Sequence, residues 1–184
     1  SIEEVTESQR RIAKATNFGI VYGISAFSLS QDIGVSVAEA KAYMEGYLTT
    51  YHGVRSYMKQ VVEDAREQGF TQTMYGRKRY IPELKSSNFN IRQGAERIAL
   101  NTPIQGTAAD IIKLAMIRVD QRLKASGLDA RLILQVHDEL VFDVKPEERE
   151  ALEKMVKEEM ERVLELSAPL VADCNSGKNW LEAH

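Results

Sequence analysis

The 184-residue sequence holds a single cysteine, Cys174. One thiol excludes an intrachain disulfide framework and a cysteine-based zinc site, and it suits a reducing, cytosolic setting. Cys174 itself reads as a small strand residue. No apolar run is long enough to span a bilayer, so no membrane partner is expected. No signal peptide is visible, and the first residue is Ser1 rather than Met, which points to a start inside a larger protein. Repeats, low-complexity tracts and linkers are lacking as well. So is any excess of positive charge: the net charge is −3, which gives no overall sign of nucleic-acid binding. What remains, 43% hydrophobic and 28% charged residues, reads as a soluble globular chain of one domain or a domain and a half.

The basic residues that are present cluster. Arg10, Arg11 and Lys14 form one group and Arg77, Lys78 and Arg79 another, while acids crowd the segment from Glu147 to Glu165. A local basic groove can bind phosphates within an acidic protein. The first cluster belongs to a row: Arg10, Lys14, Phe18 and Tyr22 recur every four residues. Each step of four along a helix advances the side chain by only about 40°, so the four share one broad face. Two cations followed by two rings suit a polyphosphate at one end and a sugar and base at the other. Ile12, Thr16, Gly19 and Ile20 lie opposite and give the helix a face to bury. The bland alternative is solvated charge beside a core Phe18.

Helices dominate the first two thirds. Thr6 and Gln9 have capping-box spacing, which starts a helix near Glu7 that stops near Gly23. A short helix spans about Ala26 to Ile33 and is closed by Gly34. Ser36 and Glu39 repeat the capping-box spacing and open a helix to about Thr50, and another runs from Val54 to Gln68, closed by Gly69. Phe70 to Tyr80 reads as a hairpin turning at Tyr75-Gly76. After a polar loop from Ser86 to Asn90, a helix from Ile91 to Leu100 is expected to end before Pro103. Ala108 to Ala125 is a long apolar-faced helix stopped by Gly127. Arg131–Val136 and Glu139–Val144 are strands separated by His137-Asp138, rich enough in Val, Ile, Leu and Phe on both arms to predict a buried pair. Glu147 to Leu166 is an amphipathic helix, and Leu170 to Cys174 a last strand. The order predicts an α+β fold with a helical portion set into a small antiparallel sheet layer.

Asp138 and Glu139 sit at the tip of the second hairpin. Adjacent carboxylates repel unless solvated or shared with a cation, and oxygen ligands of this kind suit magnesium. The alternative is a polar turn, for which Asp is common.

Together the two constellations resemble the family A DNA polymerases, the DNA polymerase I type. Residues 10–23 resemble motif B and residues 135–139 resemble motif C of that family. Between them, Tyr75-Gly76-Arg77-Lys78-Arg79-Tyr80-Ile81-Pro82 and the run from Asn101 to Asp110 look like two further signatures in the same order, and Gly177-Lys178-Asn179-Trp180 resembles the family's C-terminus. The resemblance covers essentially the whole chain. It implies template-directed DNA synthesis from a dNTP onto a primer 3′-hydroxyl, with primer-template DNA and dNTP as partners. It also implies a bacterial-type, cytoplasmic and nucleoid-associated protein. Residues 1–69 would be mainly helical fingers, and 70–184 would carry the hairpin, further helices and the C-terminal part of the palm.

By that resemblance Arg10 holds the outer phosphates, and Lys14 sits near the α-phosphate and protonates the leaving pyrophosphate. Phe18 packs against the sugar. Tyr22 stacks at the templating position while the helix is open. Gly19 and Gly23 allow close approach or bending. Arg11 reaches toward DNA or a neighbouring loop. Asp138 is the metal ligand of a two-ion magnesium centre, and Glu139 lies close to it as a helper. His137 lies beside the primer terminus or is structural. Arg97, Asn101 and Gln105, again spaced by four, touch the duplex near the new base pair, where Asn and Gln amides can address minor-groove acceptors. The alternatives there are helix capping by Asn101 and a buried polar link by Gln105. Arg77 and Arg79 contact phosphates or brace the hairpin, and Asp110 partners a buried base.

One departure is an absence. The family's motif A carries a second metal-binding aspartate before motif B, yet Ser1 to Gln9 do not contain it, and Glu3 and Glu4 are poor substitutes. The expectation is a C-terminal portion that is inactive alone and needs an N-terminal piece of the polymerase. Two alternatives stand beside this one. A single-subunit RNA polymerase fragment is disfavoured by Phe18 and by Glu139 after His137-Asp138. A non-catalytic DNA-binding remnant would keep Arg97, Asn101 and Gln105 without turnover.

Overall fold

A computed structural model describes residues 2–183. The chain is mostly helical with two small antiparallel sheets, α+β as expected, and it divides into compact units at residues 1–106 and 107–184. The expected boundary between residues 69 and 70 falls within the first of these units.

The first unit begins with α1 (Glu7–Val21), α2 (Ala26–Ile33), α3 (Val37–Thr50) and α4 (His52–Gln68). Both predicted capping boxes form. The Gln9 N–H donates to Thr6 Oγ1 at 3.2 Å while the Thr6 N–H donates to Gln9 Oε1 at 2.9 Å. Ser36 and Glu39 repeat this, and the Ser36 hydroxyl and then its backbone N–H hold the Glu39 carboxyl below its usual range. A cap-deleting Thr6→Ala change is expected to cost about 1 kcal/mol and to fray the first turn of α1. Thermal unfolding checks this, and an unchanged midpoint would show that the box contributes nothing.

After α4 come β1 (Phe70–Gln72) and β2 (Lys78–Tyr80), paired antiparallel, with Phe70 opposite Tyr80. A 3-10 turn at Pro82–Lys85 follows, and then α5 (Phe89–Asn101), capped by Asn88. Ala65, Ile81, Leu84, Ala95 and Ala99 form the core here.

The α-helix ends at Asn101, before Pro103 as expected, but the chain stays coiled beyond it. Thr102–Gly106 is a π-helical turn. A proline has no N–H for the carbonyl four residues back and crowds it. That carbonyl is Ala99 O, and the buried Thr71 hydroxyl of β1 donates to it at 3.4 Å. Arg77 Nη2 donates to Gly106 O at 2.9 Å, closing the other end of the turn. The hairpin therefore supplies donors that the interrupted helix lacks.

The second unit holds α6 (Thr107–Ser126), β3 (Ala130–Val136), β4 (Glu139–Val144), α7 (Arg149–Glu161) and the short α8 (Trp180–Ala183). Val119 and Leu123 of α6 pack with Leu152, Met155 and Val156 of α7, and Ala130, Leu140, Phe142 and Val144 of the hairpin lean on them. Arg122 bridges α6 to Glu158 and Glu159 at 2.8 Å, and its hydrogen bond holds the Glu158 carboxyl below its usual range.

Three expectations are corrected here. The hairpin is covered on one face only: Ile133 is 60% exposed and Leu134 43%, with a register shift between Leu132 and Leu134. The helix expected to reach Leu166 ends at Glu161, where the Arg162 carbonyl accepts from Arg118 at 2.8 Å. Residues 170–174 form no strand, because no edge pairs with them, and Cys174 is an exposed residue of irregular chain.

Candidate nucleotide and metal site

The α1 row belongs to the first unit. Arg10, Lys14 and Phe18 are exposed, and Tyr22, the C-cap, is half-buried. Phe18 is 47% exposed, which excludes a core role for it among the described residues. Its ring stacks on that of Tyr22, with centroids 6.1 Å apart and planes at 25°. The opposite side does the packing, with Ile20 fully buried. On the flank of the row, Tyr47 of α3 donates its hydroxyl to Asn17 Oδ1 at 2.6 Å. A Cβ on Gly19 would stand 3.0 Å from Ile24 Cγ2, so the chain turns back tightly. Gly23 has φ 76°, which a side chain would strain. The row is thus a displayed face on a braced helix.

An apolar recess of about 300 Å³ lies among Val21, Val54, Tyr57, Met58, Leu100 and Ile104. It offers no charged group to a phosphate.

On α5, Arg97 Nε and Asn101 Oδ1 are buried and make no hydrogen bond among the described residues, while Gln105 is exposed on the π turn. The helix cap is Thr102, so Asn101 does not act as one. Buried polar atoms without a protein partner are costly unless water or a ligand completes their bonding. Arg11 is exposed on α1, and Arg77 braces the π turn.

The Asp138 turn belongs to the second unit. His137 has φ 49°, and its carbonyl accepts from Gln135 Nε2 at 2.7 Å, which fixes the tip between β3 and β4. Asp138 is exposed and forms no ion pair among the described residues, so both its oxygens are open to a hard cation. Glu139 Oε1 accepts from Trp180 Nε1 at 2.8 Å, a contact that sequence reading missed. The only sequence hint was a lone tryptophan in a polar tail. No group of three His, Cys, Asp or Glu suited to a metal occurs among the described residues. This carboxylate pair therefore fits an ion such as magnesium, which takes one or two protein carboxylates with phosphate oxygens, but not a fully protein-built cage.

The first unit displays a stacked aromatic and cationic helix face, and the second a carboxylate-tipped hairpin. The family model for DNA polymerase family A matches residues 1–182, and the chain belongs to that family. It is 55% identical over 181 residues to the DNA polymerase I of Bacillus subtilis (strain 168), covering 98% of this chain and 21% of that protein. It is 51% identical over 179 residues to the DNA polymerase I of Mycobacterium leprae, covering 97% of this chain and 20% of that one. Among solved structures, the POL domain of Pol1 from M. smegmatis, in complex with DNA primer-template and dNTP, superposes with a TM-score of 0.95 at 50% identity. It covers all of this chain and 32% of that one. The chain thus spans about a fifth of the length of these polymerase I relatives. No helix among the described residues is long and apolar enough to cross a membrane.

Proposed function

We propose that this chain acts as the C-terminal part of a DNA-directed DNA polymerase, joining a dNTP to a primer 3′-hydroxyl under the direction of a template. The observation that carries the reading is the exposed row on α1, where two cations lead into the stacked pair of Phe18 and Tyr22.

In the reaction the 3′-hydroxyl gives up its proton to solvent, a bond forms between its oxygen and the α-phosphorus, and the bond from that phosphorus to the bridging oxygen breaks. Arg10 holds the β- and γ-phosphates. Lys14 balances charge growing on the leaving pyrophosphate and gives it a proton from Nζ. Phe18 lies against the sugar, and Tyr22 occupies the templating position until the nucleotide arrives. Arg97, Asn101 and Gln105 meet the minor-groove side of the new pair, with the buried atoms of Arg97 and Asn101 gaining partners there. Arg11 reaches the DNA backbone, and His137 lies beside the primer end. Asp138 would hold magnesium, with Glu139 beside it and a second carboxylate from a preceding segment. When bound, magnesium lowers the pKa of the 3′-hydroxyl and polarises the α-phosphate. Residues 1–69 serve as fingers and 70–184 carry the C-terminal palm. On this reading the working place is the bacterial cytoplasm, on the nucleoid.

The test is a chimera in which this chain replaces the matching 181 residues of the B. subtilis relative. It should extend a primer with dNTPs and strongly disfavour ribonucleotides. Lys14→Ala in the chimera should slow extension by about 100-fold while duplex binding persists. The isolated chain should show no extension above an Asp138→Ala control. A chimera that binds duplex but never extends it would overturn the reading in favour of a DNA-binding remnant.

A further inference from the structure

Trp180 and Glu139 are 41 residues apart in sequence, yet the indole Nε1–H donates to Glu139 Oε1 at 2.8 Å. The segment that delivers the indole has no buried residue, and Leu181 next to it is 89% exposed. Apolar burial therefore does not explain why this tail takes one shape. Polar contacts do. Asn179 Nδ2 donates to Glu182 Oε1 at 2.8 Å, and the Lys178 N–H donates to Glu182 Oε2 at 3.0 Å. The Glu182 N–H donates back to Asn179 Oδ1 at 3.1 Å, and Arg149 of α7 donates to Ser176 Oγ at 3.2 Å. At Gly177 a Cβ would stand 2.5 Å from Glu182 Cβ and 2.8 Å from Ala183 N, so only glycine closes this turn.

An indole is a donor without charge and with no acceptor. It can fix one carboxylate oxygen while leaving the group fully anionic, whereas a lysine or arginine would cancel its charge. Two neighbouring carboxylates are otherwise equivalent competitors for a cation and repel each other. Committing one oxygen of Glu139 makes the pair unequal.

We propose that Trp180 is a positioning residue of the polymerase site. It holds Glu139 in one orientation, so that Asp138 would hold the ion and Glu139 would add charge beside it. This rests on the polymerase reading above. The Gly177 turn and the Asn179–Glu182 pair are the scaffold that aims the indole.

Trp180 is the only tryptophan of the chain, so its fluorescence reports the surroundings of this indole and of no other. In the 184-residue chain, Glu139→Ala should shift the Trp180 emission to the red, and Glu139→Gln, which keeps an acceptor oxygen, should leave it near the parent. Gly177→Ala, which touches neither partner, should give the same red shift as Glu139→Ala. In the chimera, Trp180→Phe should raise the magnesium concentration for half-maximal extension by about 10- to 100-fold, the usual scale for losing an outer partner of a metal ligand. The KM for dNTP, set by α1, should stay within about twofold. Unchanged emission in Glu139→Ala means the bond does not form and overturns the proposal. A red shift with an unchanged magnesium requirement makes the tail merely structural and overturns it too. A parent chimera without activity removes the polymerase reading and this role together, while the fluorescence arm still decides whether the bond exists.

Discussion

Asp138→Asn in the chimera is expected to slow primer extension by on the order of 1000-fold while leaving the fold untouched. The amide has nearly the shape of the carboxylate, so the change isolates charge. Nothing in the turn depends on that charge. The tip is fixed by the left-handed backbone of His137, by the Gln135 bond to the His137 carbonyl, and by the pairing of Val136 with Glu139. Asp138 is exposed, and exposed substitutions away from special features change stability by no more than about 0.5 kcal/mol. Melting temperature should therefore match the parent while turnover collapses, and higher magnesium should recover only a small part of the loss. Single-turnover extension with a matched dNTP measures the step. A variant that keeps rates within threefold of the parent would remove Asp138 from the metal centre and return the hairpin tip to a plain polar turn.

The second large effect lies in the fold that carries Asn101 and Gln105. A Cβ on Gly106 would stand 2.7 Å from Thr73 Cγ2, well inside ordinary contact. Thr73 is 3% exposed, and its hydroxyl accepts from the N–H groups of Tyr75 and Arg77, so it cannot simply rotate away. Gly106→Ala should destabilise by about 1–3 kcal/mol, the usual range for overpacking a filled site. Thr73→Ser removes the methyl and keeps the hydroxyl, so adding it to Gly106→Ala should restore most of the loss. The double-mutant cycle, read by chemical denaturation, should show a favourable coupling. If Gly106→Ala unfolds at the parent midpoint, the close seating of the π turn on the hairpin is wrong.

What could be read from sequence was what is local. Thr6 with Gln9 and Ser36 with Glu39 announced two helix starts because a capping box lies within four residues. Gly34, Gly69 and Gly127 announced stops, and each adopts the positive φ that ends a helix, at 70°, 80° and 75°. The α1 row and the Asp138 tip were legible for the same reason, as spacing on one helix and a break between two strands. The misreadings share the opposite property. The α-helix stops before Pro103 as expected, but the π turn after it escaped, because the hydroxyl that answers Ala99 O comes from Thr71, 28 residues away. Leu170 to Cys174 has the composition of a strand, but a strand exists only with a partner edge, and Val171 is left 72% exposed. The half-bare hairpin was overcounted as buried because its apolar residues say nothing about how many faces have a cover. Trp180 escaped because its acceptor lies across the unit and not along the chain.

The π turn also changes the direction in which side chains drift. Four residues of α-helix overshoot one full circuit by about 40°, so a row spaced by four slowly winds around the rod. Arg97 to Asn101 makes such an overshooting step within α5. A turn bonded from i to i+5 is wider, and four of its residues fall short of a circuit. The step from Asn101 into the turn that carries Gln105 therefore leans back the other way. On those periods the two deviations have opposite signs, so positions 97, 101 and 105 drift apart less around the axis than they would on an unbroken α-helix. A proline that looks like a fault in the helix thereby acts as a correction of its aim.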